Sequence, residues 1–443
     1  MIVHLTSLGC ARNQIDSEIM LGRLNQVGAL FTDTPGDAEV IIVNTCSFIE
    51  SAADESIDTI LELAAHKNEG RCRRLIVTGC LPERYRQEIT RSIPEVDVFL
   101  GTGAFDRIVA AVQGHLDTAK CLLPDPDSLS PSGAGVSRER SNRWMAYVKI
   151  AEGCSRQCTY CIIPRLRGRR KSRSIEDVVA ESRQLIQTGV RELVLVPQET
   201  TAYGKDLKPP ADLARLLTAL AALPDGSGTD AFWIRFLYGH PQSIDDRLMN
   251  AVAQNANICS YFDIPIQHAS RSILKKMGRR YGPDDLRLML ERIRRLMPEA
   301  ALRTTVIVGF PGETDADFDE LLRFVESERF NHLGCFVYSD SEDLPSHGLP
   351  DHVPTATAQE RYRILMERQQ EISAARNRKY KDQKVAVLVE EHQENGLYTG
   401  RTEFQAPEVD GVTYIHADRL QTGCFAKVRI TDTLEYDLVG EAV

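Results

Sequence analysis

No stretch of this 443-residue chain is apolar for long enough to cross a bilayer, and Met1–Cys10 carries no signal-peptide pattern. A cytoplasmic protein with no membrane partner is expected. Internal repeats and low-complexity tracts are missing too, which argues against solenoids and repeat arrays. Eleven cysteines are too sparse for a disulfide scaffold at this length, so in a reducing compartment their grouping reads better as metal ligation. Excess positive charge is also lacking. With 53 basic and 63 acidic side chains the net charge is −10, a balance that does not favour polyanions, although a local basic patch can still bind one.

The densest chemistry is Cys154-Ser155-Arg156-Gln157-Cys158-Thr159-Tyr160-Cys161, three thiols at C-x3-C-x2-C spacing. No histidine lies between His115 and His240 to complete a tetrahedral zinc site. Three soft thiolates on one short loop suit an iron–sulfur cluster. Such a cluster normally has four cysteine ligands, so three leave one iron open to a small molecule. The alternative is a zinc loop that borrows a distant fourth ligand.

Length implies two to three domains. In residues 1–121, strands expected at Ile2–Leu8, Val40–Thr45, Leu75–Thr78 and Val96–Leu100 alternate with helices at Asn13–Gln26, Ala52–Ala65, Pro82–Arg91 and Phe105–Val112. That alternation predicts a doubly wound parallel α/β domain. Cys10, Cys46 and Cys80 each follow a strand and precede a helix, at the strand ends where such sheets bind ligands. They read as a second metal site, or alternatively as three buried structural cysteines. Residues 122–143 are rich in Pro, Ser, Gly and charge and read as a linker. Residues 144–375 hold six strand candidates (Ala146–Ala151, Glu192–Val196, Trp233–Leu237, Phe262–Ile266, Arg303–Val308, Gly334–Tyr338), which suggests a partial (β/α)6 barrel with the cysteine loop on its C-terminal face. Gln359–Tyr380 reads as a helix that leads into the last domain. In residues 376–443, short alternating strands predict a small antiparallel β-barrel.

On these motifs and this segmentation, the chain resembles the radical S-adenosylmethionine (SAM) methylthiotransferases: an N-terminal methylthiotransferase domain, a radical SAM barrel and a TRAM domain. The resemblance implies two 4Fe–4S clusters, one on Cys154, Cys158 and Cys161 and an auxiliary one on Cys10, Cys46 and Cys80. The five remaining cysteines, Cys72, Cys121, Cys259, Cys335 and Cys424, read as structural. One SAM is the implied source of a 5′-deoxyadenosyl radical and another the methyl donor. No side chain is expected to act as a catalytic acid or base. Tyr160 lies where the family places an aromatic beside adenine, and Gln198 of Pro197-Gln198-Glu199 where it meets the methionine amino group. Arg303 is expected to pair with the SAM carboxylate. Gly309-Phe310-Pro311-Gly312-Glu313 closes the same strand, so Gly309 and Glu313 complete the cofactor-binding set.

Within the family, Ser7-Leu8-Gly9-Cys10, Asn44-Thr45-Cys46-Ser47-Phe48-Ile49-Glu50-Ser51, Lys149-Ile150-Ala151-Glu152-Gly153-Cys154 and Ala406-Pro407-Glu408-Val409-Asp410-Gly411 resemble the RimO-type branch. That branch adds a methylthio group to the β-carbon of an aspartate in small-subunit ribosomal protein S-twelve. Gly400-Arg401-Thr402-Glu403 instead resembles the tRNA adenosine (MiaB-like) branch. Charge is an independent indicator. Lys381–Val443 holds six basic and twelve acidic residues, which suits a basic ribosomal protein rather than RNA. Arg165, Arg167, Arg169, Arg170, Lys171 and Arg173 form the opposing signal, a basic run able to touch RNA. A non-catalytic iron–sulfur protein, RNA-binding or redox-sensing, is the reading from another class. Implied partners are the ribosomal protein, free or in its subunit, an external electron donor and a sulfur source, with a monomer expected.

Overall fold

The computed structural model describes residues 1–116, 120–128, 131, 135, 137–224 and 232–443. Six parallel strands, β1 (Ile2–Ser7), β2 (Leu30–Phe31), β3 (Val40–Thr45), β4 (Arg74–Gly79), β5 (Val98–Leu100) and β6 (Cys121–Leu122), form one sheet in the order β2-β1-β3-β4-β5-β6. The four inner strands are the apolar runs read from the sequence, and β3 is buried along its whole length. Helices cover both faces, as a doubly wound parallel sheet requires. The edge strands β2 and β6, of two residues each, carry too little apolar pattern to announce themselves.

One predicted helix is broken. Pro82–Arg91 is instead two short helices, Cys80–Tyr85 and Ile89–Ser92. Arg86 between them takes φ 50° and ψ −127°, which ends the first helix despite helix-forming residues on either side.

Part of the segment expected to be a linker lies outside the described residues (129, 130, 132–134 and 136). Its end is not loose. The amide of Glu139 donates to Glu18 O at 3.0 Å, and the guanidinium of Arg138 is clamped between Glu18 at 2.6 Å and Glu181 at 2.8 Å.

The middle of the chain is a barrel open on one side. Its strands are β7 (Met145–Lys149), β10 (Glu192–Val196), β11 (Trp233–Phe236), β12 (Tyr261–Asp263), β13 (Ala301–Val308) and β14 (His332–Val337). β7, β10 and β11 form one parallel set and β12, β13 and β14 another, joined through the parallel bridge Ile234–Ile258. A small ribbon, β8 (Ala151–Glu152) with β9 (Lys171–Ser172), flanks the cysteine loop. Outward-facing Leu and Ile side chains pack under the surrounding helices. The inner face is filled from elsewhere. Ala11, Ile15 and Ile19 of the first helix meet Met145, Tyr147, Val194, Trp233 and Tyr261 there, together with Leu388 and Ala406 of the last domain.

That last domain is a closed five-stranded barrel, β15 (Lys384–His392), β16 (Leu397–Thr402), β17 (Thr413–His416), β18 (Phe425–Thr433) and β19 (Leu438–Ala442), in the order β15-β16-β17-β19-β18. The sequence predicts antiparallel pairing throughout, but β17 and β19 pair in parallel. No helix among the described residues is long and apolar enough to cross a membrane.

Candidate functional site

Each of the three N-terminal cysteines sits where a sheet strand turns into its helix. Cys10 caps the helix Ala11–Gln26, Cys46 follows β3, and Cys80 begins the helix Cys80–Tyr85. The turns are stitched together. Asn13 donates to Leu8 O at 2.9 Å and to Thr45 O at 2.8 Å, and Asn44 donates to Asn13 O at 2.8 Å and to Ser17 Oγ at 2.9 Å. Gly9, at φ +93°, comes so close to Cys46 that a Cβ there would stand 2.7 Å from the Cys46 Cβ.

The three thiols share the charge of Arg167, and Cys10 and Cys46 also that of Arg12. Burial would raise the Cys10 thiol, but the guanidinium groups of Arg12 and Arg167 outweigh it and hold Cys10 below the ordinary thiol range. Cys46 is pushed up by burial, and Cys80, the most deeply buried, is pushed up to about 11. Arg167 Nη2 lies 3.7 Å from Cys80 Sγ.

The second triad lies on the loop between β8 and the helix Ile163–Arg167. The Cys154 amide donates to Gly168 O at 3.0 Å, and the Cys161 amide to Cys158 O at 3.1 Å. Burial raises Cys154 and pushes Cys161 up to about 12. Thiols held this way stay protonated until a metal takes the proton's place. Among the described residues, no three His, Cys, Asp or Glu side chains converge as a single ion demands. Four thiolates on one zinc would sit about 3.8 Å apart. A cluster, in which each thiolate binds its own iron, makes no such demand.

The candidate SAM-contacting residues separate into two groups. Gln198 donates to Glu152 Oε1 at 2.6 Å, while its own Oε1 is buried and unpartnered. A buried acceptor without a donor fits an ammonium group. The Tyr160 hydroxyl accepts from both Nε and Nη2 of Arg279, and its ring meets Phe310 edge-on at 6.4 Å. The ring is therefore fixed beside the cluster loop.

Arg303, Gly309 and Glu313 are engaged elsewhere. Arg303 is only partly engaged, since its Nε is buried without a hydrogen bond. Nη1 donates to Asp263 at 3.1 Å, and Nε lies 3.4 Å from Asp410 of the terminal barrel, itself fully buried. Gly309 makes its close approach to a helix rather than a ligand, since a Cβ there would meet Ala358 Cβ at 2.4 Å. Glu313 Oε2 accepts from the amides of Gly309 and Phe310, and Oε1 lies 3.5 Å from Arg361. The carboxylate holds the glycine turn in shape from beneath.

Between the two triads lies a buried polar network to which the sequence analysis assigned no role. Lys149 bonds Asp16 at 2.5 Å and Glu152 at 2.8 Å, and Arg167 bonds Asp16 at 3.0 Å, Glu152 at 3.3 Å and Asn13 at 2.5 Å. Arg12 reaches across to Pro197 O at 3.1 Å and lies over the Tyr238 ring at 4.8 Å. Lys149 and Glu152 stand in the motif string that ends at Cys154, and Asn13 and Asp16 follow Cys10 by three and six residues. That proximity was the available signal, and only the fold shows that they meet.

The basic run is largely spent inside the protein. Arg167 and Arg173 are buried, Arg173 between Asp177 at 2.6 Å and Glu181 at 2.5 Å. Arg170 pairs with Asp206 at 3.0 Å, and Lys171 donates to Pro126 O. Arg165 and Arg169 remain exposed. Arg401 of the tRNA-like string is also buried, against Glu192 at 2.5 Å and Glu390 at 2.6 Å.

Comparison with known proteins agrees with this architecture. Family models match at residues 2–101 (an uncharacterised protein family, UPF0004), 148–325 (radical SAM superfamily) and 383–443 (TRAM domain). A protein of Desulfosudis oleivorans named ribosomal protein uS12 methylthiotransferase RimO is 52% identical over the full length of both chains. Proteins of the same name from Geobacter sulfurreducens and Clostridioides difficile are each 45% identical, over all of this chain and 98% of their own. The chain belongs to the RimO family. It is therefore a radical SAM enzyme that transfers a sulfur-containing group, with SAM and 4Fe–4S clusters as its cofactors. Two solved radical SAM enzymes share the fold at low identity. The methyltransferase TsrM from Kitasatospora setae matches with TM-score 0.55 and 16% identity over 75% of this chain and 72% of its own. The enzyme OxsB matches with TM-score 0.52 and 13% identity over 84% of this chain and 56% of its own.

Proposed function

We propose that this RimO-family enzyme adds a methylthio group to the β-carbon of an aspartate in ribosomal protein uS12. The observation that carries the reading is the full-length match to uS12 methylthiotransferases, in a chain whose terminal barrel is acidic. Burial sharpens that charge. Arg401 and Asp410 are the two charged side chains of the terminal barrel taken into the protein, which leaves five basic and eleven acidic residues in Lys381–Val443. An acidic surface attracts a basic ribosomal protein and repels a phosphate backbone.

Cys154, Cys158 and Cys161 would hold the cluster that binds SAM, and Cys10, Cys46 and Cys80 the auxiliary cluster. When bound, these groups supply the radical, the sulfur and the methyl group of the reaction. The protein's own part is placement and dryness. Gln198 Oε1 accepts from the methionine amino group of SAM while Glu152 fixes its amide. Tyr160, tethered by Arg279, offers its ring beside the adenine. Ala11, Ile15 and Ile19 close the barrel from the N-terminal side and Leu388 and Ala406 from the other, which excludes water from a reaction at an unactivated carbon. Arg303 pairs with Asp263 and keeps a buried Nε without a hydrogen bond, and Glu313 holds the turn at Gly309 in shape.

The test is anaerobic reconstitution followed by SAM, reductant and uS12. The expected results are iron sufficient for two clusters, 5′-deoxyadenosine as product, and about half the iron after replacement of either cysteine triad by Ala. Iron bound by only one triad would contradict the two-cluster assignment.

A further inference from the structure

Arg167 is the fifth residue of the helix Ile163–Arg167, which leads directly away from Cys161. Its guanidinium is 3% exposed, and its fork is divided. Nη1 faces the carboxylates of Asp16 at 3.0 Å and Glu152 at 3.3 Å. Nη2 faces Asn13 Oδ1 at 2.5 Å and Cys80 Sγ at 3.7 Å. Cys10 and Cys46 also feel its charge. A residue that follows the SAM-side loop thus touches the Cys80 thiol and lends its charge to the other two. Its two carboxylate partners are shared with Lys149, so two cations face two anions in that network. Arg12 adds a further positive charge beside Cys10. The thiols therefore meet a net positive surrounding.

We propose that Arg167 is the positioning residue of the auxiliary cluster: its guanidinium donates to the Cys80 thiolate and its charge makes a cluster on Cys10, Cys46 and Cys80 easier to reduce. Hydrogen bonds to cluster sulfurs and nearby positive charge both stabilise the reduced, more negative state. The same side chain fixes Asn13 and Asp16, on the helix that Cys10 caps. It therefore sets the distance between the two cysteine loops. The inference rests on the auxiliary-cluster assignment above.

The test uses the full-length chain with Cys154, Cys158 and Cys161 replaced by Ala, so that only the auxiliary site can load. Absence of iron in that parent contradicts the assignment, and the proposal falls with it. With iron bound, protein labelled with ¹⁵N-arginine is reduced and examined by pulsed electron paramagnetic resonance. A ¹⁵N coupling that disappears in Arg167→Lys is expected, and no coupling in the unsubstituted parent overturns the proposal. The reduction potential should shift to a lower value in Arg167→Met and by less in Arg167→Lys, which keeps the charge. An unchanged potential in a fully loaded Arg167→Met variant overturns the charge effect. Where Arg167→Met fails to fold, the ¹⁵N coupling in the parent decides.

Discussion

At Gly309 two constraints coincide: φ is +75°, and the Cβ of any other residue would press on Ala358. Gly309→Ala should cost about 1–3 kcal/mol through strain and overpacking, read from the denaturant midpoint. Ala358→Gly in the same chain should relieve the clash, offset by about 1 kcal/mol for a glycine inside the helix Thr355–Asn377. His240 gives a pH signature. Burial, reinforced by Arg279 and Arg156, holds its imidazole down at about 2, against about 6.5 when unfolded. Below about pH 6.5 the unfolded chain therefore takes up a proton that the folded chain refuses. The stability contribution is complete above that pH and is lost as pH falls towards the folded value. Between pH 7 and 5 the loss should reach about 2 kcal/mol, and His240→Asn should flatten that part of the urea-midpoint profile. Cys154, Cys158 and Cys161 stood out because their spacing is local, whereas Cys10, Cys46 and Cys80 were linked only by their places after successive strands. Arg167 did not stand out, because in sequence it is one cation among six, and Asn13 and Asp16 lie about 150 residues away.

Among the elements, β10 is joined to β11 and to β16 by buried ion pairs on one carboxylate. Glu192 accepts from Arg235 at 2.7 Å and from Arg401 at 2.5 Å, and its side chain is fully buried. Glu192→Gln would leave two guanidinium groups without their shared anion, a loss of roughly 3–5 kcal/mol. Limited proteolysis should then release the terminal barrel earlier than in the unsubstituted protein. Central strands and long helices were legible from their periodicity. The division of Pro82–Arg91 was not, because it depends on Arg86 turning to a positive φ where its guanidinium meets Glu83 at 2.6 Å. The parallel pair β17–β19 was hidden for a similar reason: strand direction within a small barrel follows from closure, not from any strand's own pattern.

For the whole molecule, charge distribution separates the substrate readings. The basic run that suggested RNA is mostly folded into ion pairs, whereas most acidic residues of the terminal barrel face solvent. Glu403 and Glu408 are exposed on the segment that leads from β16 into the mouth of the central barrel. Glu403→Lys with Glu408→Lys should raise KM for uS12 by about tenfold, equivalent to 1.4 kcal/mol, and leave SAM cleavage without substrate unchanged. Added salt should weaken uS12 binding in the parent more than in the variant. The three-part architecture was legible because each part has its own periodicity. How the N-terminal helix and the terminal barrel share the inner face of the central barrel was not, since those contacts join residues hundreds of positions apart.

The central claim is the acceptor, and a competition tests it directly. Enzyme with both clusters rebuilt is given SAM, reductant and sulfide with equal amounts of uS12 and unmodified tRNA, and both are analysed by mass spectrometry. A methylthio group in place of hydrogen on one aspartate of uS12, with tRNA unchanged, is expected. A methylthio group on tRNA, with uS12 unmodified, would contradict that claim.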